Sequence, residues 1–289
     1  MLNPANHPTR TPGIIAGGIP LSTPVRLGAV GLSGRVVMGP SLLCHAGAGR
    51  VPTLAMLEHY AALAPGAALV LGEPAAVSAE GARHPDAPGL YSPEQAVAWR
   101  GITDSVHQVG SRIAARLCHA DAWNIKQDGH RLAEAFGQAA QRARQAGFDM
   151  VEIDALGLTA VPQGMAGRLG LIVDAVMTAM GSGRTGVRLD LGGACIRGQA
   201  VSALGRLGDA LCLLDRAGTG YLHLQVPLSR ELDAGLVRGL FRGRIILNSG
   251  GGVHMAQRLI AQGMADAVLL PTRLESDPRH ATAPAAAAE

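Results

Sequence analysis

The sequence predicts a (β/α)8 TIM barrel folded as a single α/β domain. Three observations predict it. Short apolar runs alternate with longer amphipathic stretches, the alternation continues almost to the C-terminus, and 289 residues suit one large core. The runs are Arg35–Met38, Ala68–Leu71, Ile113–Leu117, Met150–Ile153, Gly186–Leu189, Tyr221–Leu224, Ile245–Leu247 and Ala267–Leu270, each the length of a buried parallel strand. Between them helices are predicted over Thr53–Ala64, Pro93–Gln108, Arg131–Ala146, Met165–Met180, Gln199–Arg216, Arg230–Leu240 and His254–Gln262. The second helix carries its own start signal. Ser92 caps it, Pro93 takes the first helical position, and Gln95 completes a capping box. On this pattern alone an open doubly wound sheet is the competing architecture.

Residues 1–24 read as a lead-in, 25–278 as the barrel and 279–289 as a disordered Ala-rich tail. Little chain follows the last run, so the closing helix is expected to be reduced. The exposed side of such a barrel suits a possible homodimer.

Composition narrows the function. The net charge of +3 is spread along the chain, with a single lysine, Lys126, and aromatics make up 3% of residues. No basic patch or stacking surface for nucleic acid is indicated, nor a patch for anionic membranes. No apolar run is long enough for a membrane helix, and no signal peptide is apparent. The cysteines Cys44, Cys118, Cys195 and Cys212 form no CxxC pair and no zinc spacing. The expectation is a reduced, cytoplasmic protein acting on a small-molecule substrate, with no metal.

The stretch His84–Gly110, HPDAPGLYSPEQAVAWRGITDSVHQVG, resembles the Old Yellow Enzyme family nearly position for position. VRLGAVGLSGRVVMGP (Val25–Pro40) and LVLGEPAAVSAEG (Leu69–Gly81) resemble its first two strands. RIAARLCHA, AGFDMVEID, GVRLDL, GYLHLQ, IILNSGG and MADAVLLPTRLESDP resemble the later strands, in order. The resemblance implies an FMN-dependent ene-reductase (an NAD(P)H:flavin oxidoreductase) on a (β/α)8 barrel. By that resemblance Pro40, Ser41, Arg188, Gly250, Gly251 and Arg273 fall at cofactor-binding positions, Glu73 matches the second-strand Glu, and His119 the third-strand His.

The departures fall at the flavin. Leu42 replaces a ring-facing Thr or Cys, Pro74 a small residue whose N–H faces the ring, and Arg116 the Gln that grips the pyrimidine edge. Asp154, Gly157 and Thr159 stand where the family carries the His, Asn and Tyr that hold the substrate carbonyl and deliver a proton. Pro271 and Thr272 replace the Gly-Arg pair of the phosphate grip. Insertions between His119 and Arg131 and between Thr159 and Met165 are missing. FMN binding is therefore expected to be weak or absent.

Chemistry in such a barrel belongs at the C-terminal ends of the strands. The catalytic candidates are Asp154, Arg188, Arg116, His119 and Asp190. Asp154 reads either as a general acid/base or as the partner of Arg116 or Arg188 in a salt bridge. Arg116 and Arg188 read either as a clamp for an anionic substrate or as neutralised by Asp154 and Asp190. Cys44 with His45 offers a nucleophile pair on paper, but adjacent side chains seldom face one another, so a loop position without a catalytic role is expected. His119 and Asp121 lack a third metal ligand, which favours a structural His. GSGRTG (Gly181–Gly186) matches GxGxxG but follows a helix, and reads as a helix end and loop. NSGGG (Asn248–Gly252) stands where a phosphate turn would.

Three functions remain open. The first is a repurposed barrel enzyme doing acid/base chemistry, an isomerisation or cyclisation of an unsaturated carbonyl compound. The second is an FMN-dependent ene-reductase with an atypical site. The third is a non-catalytic partner subunit.

Overall fold

In the computed structural model, residues 20–39, 43–123, 128–156, 165–190, 200–225, 237–248 and 252–270 are described. The chain opens with an antiparallel hairpin, β1 (Val25–Leu27) and β2 (Val30–Leu32), in which Leu27 faces Val30. Gly28 begins its turn at φ +54, with no room for a Cβ, which would lie 2.2 Å from the Gly183 carbonyl oxygen. Strict alternation buries Val25, Leu27, Val30 and Leu32. They pack with Leu69, Leu71, Met150, Tyr221 and Ile246, so the hairpin plugs the bottom of the barrel interior. Sequence reasoning took this segment as lead-in to the first strand and missed the hairpin, whose strands are only three residues long.

The eight barrel strands are β3 (Val36–Met38), β4 (Leu69–Ala76), β5 (Arg112–Cys118), β6 (Met150–Asp154), β7 (Thr185–Asp190), β8 (Tyr221–Gln225), β9 (Ile245–Asn248) and β10 (Ala267–Leu269), closed in that order by parallel pairing of β10 with β3. Closure excludes the open sheet. Each strand lies within a few residues of its predicted run; β4 is the longest because a register shift between Leu71 and Pro74 lets it continue to Ala76.

The helices between them are α1 (Leu54–Leu63), α2 (Pro93–Gln108), α3 (Gly129–Gln145), α4 (Met165–Met180), α5 (Ala200–Ala217) and α6 (Val253–Ala261). The capping box forms: Ser92 accepts from the Gln95 N–H while the Gln95 side chain accepts from the Ser92 N–H. Asp128 caps α3 by accepting from the His130 N–H. The outward strand residues Val70, Ile113, Val151 and Val187 pack against Trp99, Phe136, Leu169 and Ile172 of these helices. α4 ends at Met180 before Gly181 at φ +91, so GSGRTG is a helix end and loop, as expected.

At the N-terminal rim two aspartates tie neighbouring strands together. Asp149 accepts from the Ile113 N–H at 2.9 Å and from Arg112 at 3.1 Å. Asp266 accepts from the Ile245 N–H at 2.9 Å and from Arg238 and Arg244. The expected short final helix, the Ala-rich tail, residues 124–127 of the first missing-insertion site, residues 160–164 of the second, and residues 230–236 of the helix predicted over Arg230–Leu240 lie outside the described residues.

Candidate functional site

Above the hydrophobic plug the inward faces of four adjacent strands turn polar. Period-two alternation sets this up: Ala114 faces the interior, Ala115 the helices, and Arg116 the interior again. In-register pairing then places Arg116 beside Glu152, Asp154 beside Arg188, and Arg188 beside His223.

The lower tier is centred on Glu152, which is fully buried. It accepts from Arg116 Nε at 2.9 Å, His223 Nδ1 at 2.9 Å and the Tyr221 hydroxyl at 3.2 Å. Burial pushes its pKa up, but His223 and then Arg116 outweigh it and bring it down to about 2. Burial in turn lowers the pKa of His223, favouring the neutral ring. Nδ1 carries the proton given to Glu152, so Nε2 is left as a buried acceptor with no partner. The Tyr221 ring fits only because residue 186 is glycine; a Cβ there would lie 2.2 Å from the ring.

The upper tier sits at the strand ends. Asp154 is fully buried. Its Oδ2 accepts from Arg83 at 3.0 Å and lies 3.7 Å from Arg188, while Oδ1 accepts from the Leu156 N–H at 3.2 Å. Arg188 also donates to the Gln225 side-chain oxygen. Among the described residues its Nε is buried with no partner. Burial, and then the nearby Arg116 charge, lower the Arg188 pKa. Arg83 comes from the loop after β4. That loop is fixed by Arg50, which donates to the carbonyls of His84 at 2.8 Å and Pro85 at 2.7 Å.

This geometry separates the expected residues. Asp154 and Arg188 come together as the salt-bridge reading required. Arg116 does not join them as a partner of Asp154: its Nε is committed to Glu152, which corrects both the Arg116–Asp154 pairing and the simple Arg116–Arg188 clamp. Asp190 lies on the same strand, in register with Gln225 and half-buried. His119 is buried, its Nδ1 accepts the Asp121 N–H at 3.2 Å, and its ring lies against Gly81, where a Cβ would come within 2.4 Å. That is a structural setting. Cys44 is held through its backbone N–H, given to Glu73 at 3.2 Å, and His45 is exposed, so they form no nucleophile pair.

Glu73 is buried, and burial raises its pKa to about 7 against the pull of the Cys44 and Leu43 N–H groups. Its Oε1 has no partner among the described residues. Pro40, Ser41, Leu42, Gly157, Thr159, Gly250, Gly251, Pro271, Thr272 and Arg273 lie outside the described residues.

Sequence reasoning missed Arg83, Glu152, Tyr221 and His223. For three of them a signal existed. Glu152–Asp154 and Tyr221–His223–Gln225 place polar groups two apart within apolar strands, which aims them at one face. Arg83 carried none, because only the fold of its loop brings it over β6.

The FMN implied by the resemblance fits this donor set poorly. Pro74 is in register with Arg116 on the inward face and has no N–H to give. Arg116, at the pyrimidine-gripping position, is tied to a buried carboxylate. Among the described residues Arg188, with its unpartnered Nε, keeps a donor suited to a flavin ring.

A closed parallel barrel with ionisable side chains gathered at the C-terminal strand ends is the architecture that houses small-molecule enzyme sites. Residues 20–134 match the NADH:flavin oxidoreductase / NADH oxidase family. A putative 12-oxophytodienoate reductase 2 from rice, Oryza sativa subsp. japonica, is 26% identical over 90% of this chain and 88% of its own length. The flavin oxidoreductase hxnT of Emericella nidulans is 36% identical over 35% of this chain and 27% of its own. Among solved structures, morphinone reductase in complex with tetrahydroNAD superposes with a TM-score of 0.75 and 25% identity, covering 87% of this chain and 86% of that one. An old yellow enzyme homologue from Zymomonas mobilis shares the fold at a TM-score of 0.77 and 23% identity, covering 87% of this chain and 88% of that one. The chain is similar to the Old Yellow Enzyme family, a family of oxidoreductases, and shares its barrel fold. Among the described residues no helix is long and apolar enough to cross a membrane.

Proposed function

We propose that this barrel is a small-molecule enzyme performing acid/base chemistry, an isomerisation or cyclisation, on an unsaturated carbonyl compound, with Asp154 as the base and Arg188 orienting the substrate. The observation that carries the proposal is Asp154 itself: a carboxylate at a strand end, 3.0 Å from Arg83 and 3.7 Å from Arg188, in place of a neutral donor. In an isomerisation, Asp154 takes the proton from the carbon between the carbonyl and an isolated double bond. The electron pair moves onto the carbonyl oxygen, where the unpartnered Arg188 Nε–H can stabilise the charge. Asp154, its proton exchanged with solvent, then delivers a proton to the far end of the dienolate, so no oxidant or reductant is required.

The test is to incubate the purified protein with β,γ-unsaturated ketones, with and without a carboxylate substituent, in deuterated water, without flavin or nicotinamide. Isomerised, deuterated product supports the proposal. Absence of exchange across the panel sinks it.

Similarity to an oxidoreductase family, together with the retained Arg188, favours a second reading, an FMN-dependent ene-reductase with an atypical site. Yellow protein with a flavin spectrum and a submicromolar FMN dissociation constant would support it.

A further inference from the structure

Asp154 lies under Arg83, and no solvent reaches its side chain, whereas the Arg83 side chain is 25% exposed at the mouth. A buried base under a guanidinium cannot meet a substrate until that guanidinium finds another partner. Arg83 gives Asp154 one hydrogen bond, through Nη1. Its loop is not free to swing away as a unit. The loop is bridged to β4 at Ala76–Gly89, held by Arg50 at the His84 and Pro85 carbonyls, and tied to the segment after β5 by the Ala120 N–H on the Gly81 carbonyl. The mobile part is therefore the Arg83 side chain alone. On the other side of the same oxygen stands Arg188, with a buried Nε–H that nothing accepts.

Two guanidiniums thus converge on Asp154 Oδ2, and one of them can be reached from solvent. We propose that this is a recognition site for a small carboxylate: the substrate's carboxylate exchanges with Asp154 as the partner of Arg83, and the exchange uncovers Asp154. The site already holds a carboxylate between these two arginines, so an incoming one replaces like with like. A neutral amide or aldehyde gives Arg83 no comparable partner and leaves Asp154 covered. The inference rests on the reading of Asp154 as the base. It deepens that reading by naming the charge the substrate carries and Arg83 as the residue that selects it.

Internal competition gives the idea a specific signature in binding. If Asp154 occupies the site in the unliganded protein, removing its charge must make room for an external carboxylate. The probes are crotonate and its neutral isostere crotonamide, followed by ligand-observed NMR titration on the full chain. The wild type is expected to prefer crotonate. Asp154→Asn should bind crotonate about tenfold or more tightly than wild type and leave crotonamide unchanged, while Arg83→Gln should erase the preference. Arg83→Met repeats the second test without a polar side chain, and thermal melts confirm that each variant is folded. Crotonate binding that Asp154→Asn fails to tighten, or a preference that survives in both Arg83 variants, overturns the proposal. These readouts involve no turnover. Loss of the binding signature with turnover still dependent on Asp154 removes only the carboxylate site, and the converse removes only the catalytic reading.

Discussion

Arg116 Nε donates to Glu152 Oε1 at 2.9 Å inside the barrel, from neighbouring strands in register and with almost no solvent contact. Such a pair contributes little net stability when intact, because both charges give up their hydration, but breaking it from one side strands the other charge. Glu152→Ala is expected to cost about 3–5 kcal/mol in urea unfolding, and replacing Arg116 and Glu152 together with Met and Leu should recover much of it. A Glu152→Ala midpoint equal to wild type would show that Arg116 finds another partner.

The same carboxylate sets the acid limb of the stability profile. Its pKa is depressed from the ordinary 4.5 to about 2, so its contribution is fully present above about 4.5 and is lost as pH falls through about 2. Glu152→Gln should remove that dependence. A variant and wild type losing stability in parallel over this window would contradict it.

Glu73 has the opposite sign. Its pKa is raised from 4.5 to about 7, so the folded state favours the protonated acid. The stabilisation is complete below about 4.5 and disappears as pH rises through about 7, a difference of at most about 3 kcal/mol. Glu73→Gln should gain on wild type across this window while its carbonyl still accepts the Cys44 N–H. Equal pH slopes for the two proteins would show that Glu73 is not buried as an acid.

Asp154→Asn keeps the shape of the side chain and removes the base. Turnover of any substrate handled by acid/base chemistry should fall by about 100-fold or more. A folded Asp154→Asn protein with wild-type turnover leaves Asp154 as a structural ion-pair partner and nothing more.

Gly186→Ala places a methyl 2.2 Å from the Tyr221 ring, which has no free space to move into. Overpacking of about 1–3 kcal/mol or more is expected, with displacement of the Tyr221 hydroxyl from Glu152. Tyr221→Leu in the Gly186→Ala background should cost less than the sum of the two single changes. Additive losses would place the strain elsewhere.

The sequence by itself determined the barrel, and the physical reason is local. Eight apolar runs of strand length with helical spacing between them leave few architectures, and signals such as the Ser92–Gln95 capping box are complete within four residues. It also brought Asp154 and Arg188 into view, through a family resemblance that sets them at strand ends. Pairing was another matter. Arg116 took Glu152 and not Asp154 because parallel register set those two side by side, and neighbouring strands far apart in sequence fix register together. Arg83 reached Asp154 across 71 positions of chain because the loop after β4 folds back over the mouth under Arg50. A period-two pattern tells which side chains face inward; which of them touch, and which stay covered from water, was decided only when the barrel closed.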